Sequence, residues 1–87
     1  MAGYRIFIKP SAAKEIEAVG QKKNRQRIVA AIRSLVRDPR PTGCEKLSGE
    51  ADRYRIRVGR YRIIYSIGDA ELVVAVVRVG HRKEVYR

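Results

Sequence analysis

The sequence predicts an α+β fold of order β-α-α-β-β-β, in which a two-helix hairpin packs on one face of a small, mostly antiparallel sheet. Three observations predict it. Residues 53–65 alternate arginine with apolar side chains around a Gly59-Arg60 pivot, the mark of two short strands joined by a two-residue loop. Ile28, Ala31, Ile32, Leu35 and Val36 recur at i, i+3, i+4, i+7 and i+8, which lines one face of a helix. Leu72 to Val77 is apolar on both faces, as a strand with neighbours on either side must be.

Taken in order, Tyr4-Arg5-Ile6-Phe7-Ile8 reads as the first strand, closed by Pro10. Ser11 can cap a helix over roughly 12–19, where Ala12, Ile16 and Val19 share a face and Gly20 ends it. Gln21-Lys22-Lys23 leads into a second helix from about Asn24 to Arg37, stopped by Asp38-Pro39. Residues 38–52, with Pro39, Pro41, Gly43 and Gly49, read as an irregular connection. Glycine in the first loop position suits a type II′ turn, so the hairpin register pairs Arg57 with Arg62, Ile56 with Ile63, Arg55 with Ile64 and Tyr54 with Tyr65. Tyr54, Ile56, Val58, Tyr61, Ile63 and Tyr65 then share the face that the helices cover, and Arg53, Arg55, Arg57 and Arg62 share the open one. Gly68-Asp69 turns the chain into the last strand, and a tail from Gly80 to Arg87 follows. With no repeat, linker or low-complexity tract, residues 1–87 read as one domain.

Composition narrows the partners. Hydrophobic residues make up 45% of the 87, enough for one packed core. Twenty Lys plus Arg against nine Asp plus Glu leave a net charge of +11, which favours an anionic partner. Arginine supplies 14 of the 20 cations, and its planar fork grips phosphate and stacks on bases where lysine acts as a point charge. The longest apolar run is far below the roughly 20 residues of a membrane span. No signal peptide is apparent, and the single cysteine, Cys44, forms no internal disulfide. The expected compartment is the cytoplasm.

The chemistry follows largely by elimination. One histidine, one cysteine and scattered carboxylates lack metal-ligand spacing, so no metal and no cofactor is expected. Walker and dinucleotide motifs are absent, and Cys44 reads as a partly buried small residue rather than a nucleophile. What remains is cationic. Arg57 directly opposite Arg62 costs stability, because like charges facing each other destabilise a sheet; a phosphate between them would explain the cost. Arginines suit the extra charge of a phosphodiester transition state. Without a metal-activated water the accessible nucleophile is the substrate's own 2′-hydroxyl, which RNA has and DNA lacks.

The chain also resembles the RelE/ParE toxin superfamily of toxin–antitoxin systems over essentially all 87 residues. The resemblance rests on the element order, on the 54–65 hairpin, and on Val79-Gly80-His81-Arg82-Lys83-Glu84-Val85-Tyr86. The RelE-like branch is the better match. It implies a ribosome-dependent endoribonuclease that cuts mRNA in the A site, pairs with a cognate antitoxin in a hetero-oligomer, and is a monomer when free. Carried over by position, Arg55, Arg57 and Arg62 would hold the scissile phosphate, and Arg82 would clamp the transition state. Tyr86 would orient or deprotonate the 2′-hydroxyl, or stack on a base. Where many members carry lysine, Arg55 and Arg57 stand here, and arginine keeps its proton. The base role is thereby open between Tyr86 and His81, the latter having an ordinary pKa near ~6.5.

Arg53, Arg60, Lys83, Lys22, Lys23 and Arg25 are further RNA-binding candidates. The basic flank of the second helix (Lys22, Lys23, Arg25, Arg27, Arg33, Arg37) is otherwise an ordinary solvated face, and Tyr54, Tyr61 and Tyr65 read as core. Two alternatives stand beside the nuclease: a ParE-like inhibitor of DNA gyrase, and a basic RNA- or antitoxin-binding module without turnover.

Overall fold

In a computed structural model, which describes residues 3–49 and 52–81, strand β1 (Arg5–Ile8) is followed by helices α1 (Pro10–Glu17) and α2 (Lys22–Ser34). Strands β2 (Glu45–Lys46), β3 (Arg53–Val58), β4 (Tyr61–Gly68) and β5 (Val73–His81) complete a five-stranded sheet of order β1-β5-β4-β3-β2. All neighbours are antiparallel except β1 and β5, which run parallel. The hairpin has the expected register, with Arg57 opposite Arg62, Ile56 opposite Ile63, Arg55 opposite Ile64 and Tyr54 opposite Tyr65. Gly59 has φ +60° while Arg60 keeps a negative φ, the backbone of a type II′ turn.

The expected apolar stripes build the core. Ala12 and Val19 from the α1 region, Ile28 and Ile32 from α2, and Leu35 at its C-cap pack with Ile56, Ile63, Tyr65, Ile67, Val74, Val76 and Val79 of the sheet. Strand β5 sits between β1 and β4, which is why Val74 and Val76 are fully buried. Burying this stripe is the main favourable term, at roughly 25 cal/mol per Å² of apolar surface.

The structure differs from the sequence reading at several boundaries. Pro10 opens α1 at its first turn instead of merely closing β1, and Ser11 lies inside the helix instead of capping it. Proline suits that position because its missing N–H would have had no helical partner. Helix α2 begins at Lys22 and ends at Ser34, earlier at both ends than expected. The irregular connection contains a two-residue strand, β2, paired to β3. Strand β5 runs on to His81, through residues assigned to the tail.

A register shift in β5 has consequences for the site. Ile64 pairs with Arg78 but Tyr65 pairs with Val76, so Val77 is an extra residue in the ladder. A bulge of this kind reverses which face each later residue occupies. Val76 and Val79 therefore both enter the core, three apart where simple alternation would keep them two or four apart. Strand β1 ends opposite Val76, leaving the outer edge of β5 without a strand beyond that point. Glu15 of α1 covers it by accepting the Val79 N–H at 2.9 Å.

The far end of the sheet is clamped by polar groups. The buried Tyr65 hydroxyl donates to the Pro39 carbonyl at 2.7 Å, and the Tyr54 ring stacks on Tyr65 at 6.1 Å. Arg40 lies over Tyr54 and donates two hydrogen bonds to Asp69, which also accepts from the Tyr4 hydroxyl. The hydrogen bond from Arg40, then that from Tyr4, holds the Asp69 carboxyl below its usual pKa. A depressed folded pKa stabilises the protein above the ordinary carboxylate value and ceases to do so as pH falls through the folded one. Asp69→Asn should therefore melt lower than wild type at neutral pH, and the gap should narrow as pH falls below the ordinary carboxylate range. Thermal melts from pH 2 to 7 check this, and a constant gap would refute it.

Candidate functional site

Alternation along β3 and β4 turns Arg53, Arg55, Arg57 and Arg62 to the face opposite the helices, together with Ile64 and Ser66. At a rise of ~3.3 Å per residue, Arg53, Arg55 and Arg57 project at intervals of roughly 6.6 Å along one strand. Arg57 is exposed at the hairpin end. Its cross-strand partner Arg62 is only 5% exposed, an unusual burial for a charged side chain. On the other flank of Arg62 the ladder places Gly80, so no side chain of β5 intrudes there.

Arg55 stands differently from the sequence reading. Its guanidinium is held by Glu45, the residue opposite it on β2. Arg53 lies at the far end of β3, across from Ser66. His81 does not join the arginines. The bulge turns it to the helix side, opposite Tyr61, where the two rings meet edge-on at 6.0 Å.

The α2 cations are also apart from the open face. Lys22 and Arg25 line a shallow groove between the outer sides of the two helices. Arg25 donates to the Val19 carbonyl at 2.6 Å and thereby pins the interhelical turn. Lys23 is exposed nearby. Arg60, at the hairpin tip, faces a cleft of about 570 Å³ on the helix side, which Gln21, Asn24, Arg27, Tyr61 and His81 also line. Arg82, Lys83 and Tyr86 lie outside the described residues. Among the described residues no group of three or more His, Cys, Asp or Glu could hold a metal ion, and no helix is long and apolar enough to cross a membrane.

A family model described as "ParE toxin of type II toxin-antitoxin system, parDE" matches residues 6–86. This chain belongs to the RelE/ParE toxin superfamily. The toxin is 35% identical to Toxin RelG of Mycobacterium tuberculosis over 66 residues, 70% of its own length and 76% of the relative's. Its fold matches the archaeal RelE of the RelE–RelB complex from Pyrococcus horikoshii with a TM-score of 0.83 and 28% identity, covering 94% of this chain and 98% of the other. A double arginine-to-alanine variant of E. coli RelE in the free state matches with a TM-score of 0.79 and 30% identity, covering 99% of the toxin and 92% of that chain.

Two features of the toxin's site were missed by sequence reasoning. Glu45 gave no signal, since its two-residue strand is too short to show periodicity. The cleft was missed because Arg27 and Arg60 belong to elements far apart in sequence. Charge alone marked both arginines, and only the packing of α2 beside the hairpin tip brings them to one cavity.

If Glu45 holds Arg55 back from substrate, Glu45→Ala should raise the toxin's affinity for single-stranded RNA by about threefold to tenfold and steepen its salt dependence by about one charge. Binding titrations between 50 and 200 mM salt are the check. Unchanged affinity and slope would leave Glu45 no such role.

Proposed function

We propose that this toxin is a ribosome-dependent, metal-independent endoribonuclease that cuts mRNA in the A site and so blocks translation. The observation that carries the reading is the opposed pair Arg57 and Arg62 on the helix-free face, beside the glycine at position 80. Two guanidinium groups on directly opposed residues suit a doubly contacted phosphate.

The 2′-oxygen attacks the adjacent phosphorus, the P–O5′ bond breaks, and the products are a 2′,3′-cyclic phosphate and a 5′-hydroxyl. Arg57 and Arg62 hold the phosphate and offset the charge that builds on its oxygens, with Arg55 joining once it exchanges Glu45 for substrate. Arg82 clamps the transition state and donates a hydrogen bond to the leaving 5′-oxygen, which takes its proton from water. Tyr86 takes the proton of the 2′-hydroxyl, because Arg55 and Arg57 stay protonated and His81 lies across the sheet. Arg53, Arg60 and Lys83 extend the RNA contact, while Lys22, Lys23 and Arg25 offer charge to ribosomal RNA. Positioning by the ribosome supplies much of the rate, since a tyrosine is a weak base for the 2′-hydroxyl proton.

A cognate antitoxin is the toxin's partner, as expected of a type II system, and the related archaeal RelE forms a complex with RelB. We read the working compartment as the cytoplasm, where translating ribosomes are found. Primer extension on ribosome-bound mRNA with purified toxin tests the proposal. Cuts within the A-site codon that persist in EDTA support it, and their absence rejects it.

The ParE description of the matching family model favours a second reading, inhibition of DNA gyrase. Supercoiling and cleavage-complex assays separate the two. Gyrase poisoning without mRNA cuts would replace the nuclease reading.

A further inference from the structure

We infer that the cleft on the helix side of the hairpin tip is a second RNA subsite, which holds one nucleotide flanking the cut. The inference rests on the ribonuclease reading and adds a binding site to it. The cleft's volume, about 570 Å³, lies within the range of small-ligand pockets. Its walls come from the turn before α2, the first two turns of α2, the β3–β4 loop, the start of β4 and the end of β5.

The chemistry of these walls is that of a nucleotide site. Arg27 and Arg60, both exposed, converge on the cleft from α2 and from the hairpin tip. The Tyr61 and His81 rings form an aromatic wall, and bases of any identity stack on such surfaces. Asn24 donates to Gln21 at 3.2 Å, so two side-chain amides with both donors and acceptors face the same space. Among the described residues no carboxylate lines it. Guanidinium groups, aromatic rings and amides together match the phosphate, face and edge of one nucleotide, whereas an apolar ligand would leave the guanidinium and amide groups unmatched.

Location connects this cleft to the arginine face. Gly59 and Arg60 are the loop between Arg57 and Arg62, so a strand leaving that pair over the tip reaches the cleft within about one or two nucleotides. The bulge in β5 is what turns His81 toward this cavity instead of toward the scissile phosphate.

The test uses 2′-O-methyl oligoribonucleotides, in which the attacking hydroxyl is blocked, at lengths of two and six nucleotides. Affinity is measured by NMR titration of the whole toxin. Wild type should gain about tenfold in affinity from dinucleotide to hexanucleotide, with amide shifts at Gly59, Arg60 and Tyr61. Arg27→Ala and the Asn24→Ala, Arg27→Ala pair should lose most of that gain, with the dinucleotide affinity unchanged. Arg62→Ala should weaken both lengths alike. Melting temperatures near wild type exclude misfolding as the cause. Should the cleft variants keep the full gain while Arg62→Ala weakens binding, the subsite is wrong and the nuclease reading survives. Should wild type bind neither length on or off the ribosome, both readings fall together.

Discussion

Arg62→Ala is expected to slow cleavage of ribosome-bound mRNA by about 10²–10³-fold, the loss that follows removal of one donor to a developing oxyanion. Arg62 is the side chain best placed for that role. It is buried to 5% exposure, faces the helix-free side of the sheet, and has Arg57 on one flank and Gly80 on the other. Burial raises the worth of its charge to a phosphate, because the local dielectric is lower than in water. Burial also complicates the alanine variant, which leaves a void and takes the guanidinium away from the groups it touches in the free protein. Arg62→Lys serves as the second arm. It keeps the charge and most of the stem but loses the bidentate fork. An intermediate rate, at least tenfold below wild type, is expected of it. Single-turnover primer extension on programmed ribosomes gives the rates, and thermal melts report the fold. A folded Arg62→Lys or Arg62→Ala toxin cutting at the wild-type rate would remove Arg62 from the mechanism.

How much of this was legible in the chain depends on the range of the interaction. The β3–β4 register could be read residue by residue because loop length and period-two alternation act locally. Helix α2 was legible through the spacing of Ile28, Ile32 and Leu35 for the same reason. The contacts that lay hidden are non-local. Glu45 reaches Arg55 from a strand of two charged residues that carries no periodic signal. The parallel pairing of β1 with β5 joins segments at opposite ends of the chain. His81 was the costliest ambiguity, since one extra residue at Val77 moves it from the arginine face to the helix face. Val73 to Val77 offers no glycine or polar break to mark that bulge. The sequence alone therefore grouped His81 with the arginines, and the ladder separates them.

Arg57→Gln should move stability and activity in opposite directions. Arg57 is exposed and directly opposite Arg62, so losing its charge relieves a cross-strand repulsion of roughly 0.2–1 kcal/mol. The variant should melt slightly above wild type. Under the proposed mechanism the same change removes one of the charges that hold the substrate phosphate, and cleavage should fall by at least about tenfold. A merely solubilising arginine would behave otherwise: relief of repulsion would come with no loss of cutting. Lys14→Gln, an exposed cation on α1 away from the sheet's open face, is the matched control and should change neither quantity appreciably. A gain in stability with full activity would reduce the opposed arginines to surface charge. A loss of stability would mean that contacts made by the Arg57 guanidinium in the free toxin outweigh its repulsion with Arg62.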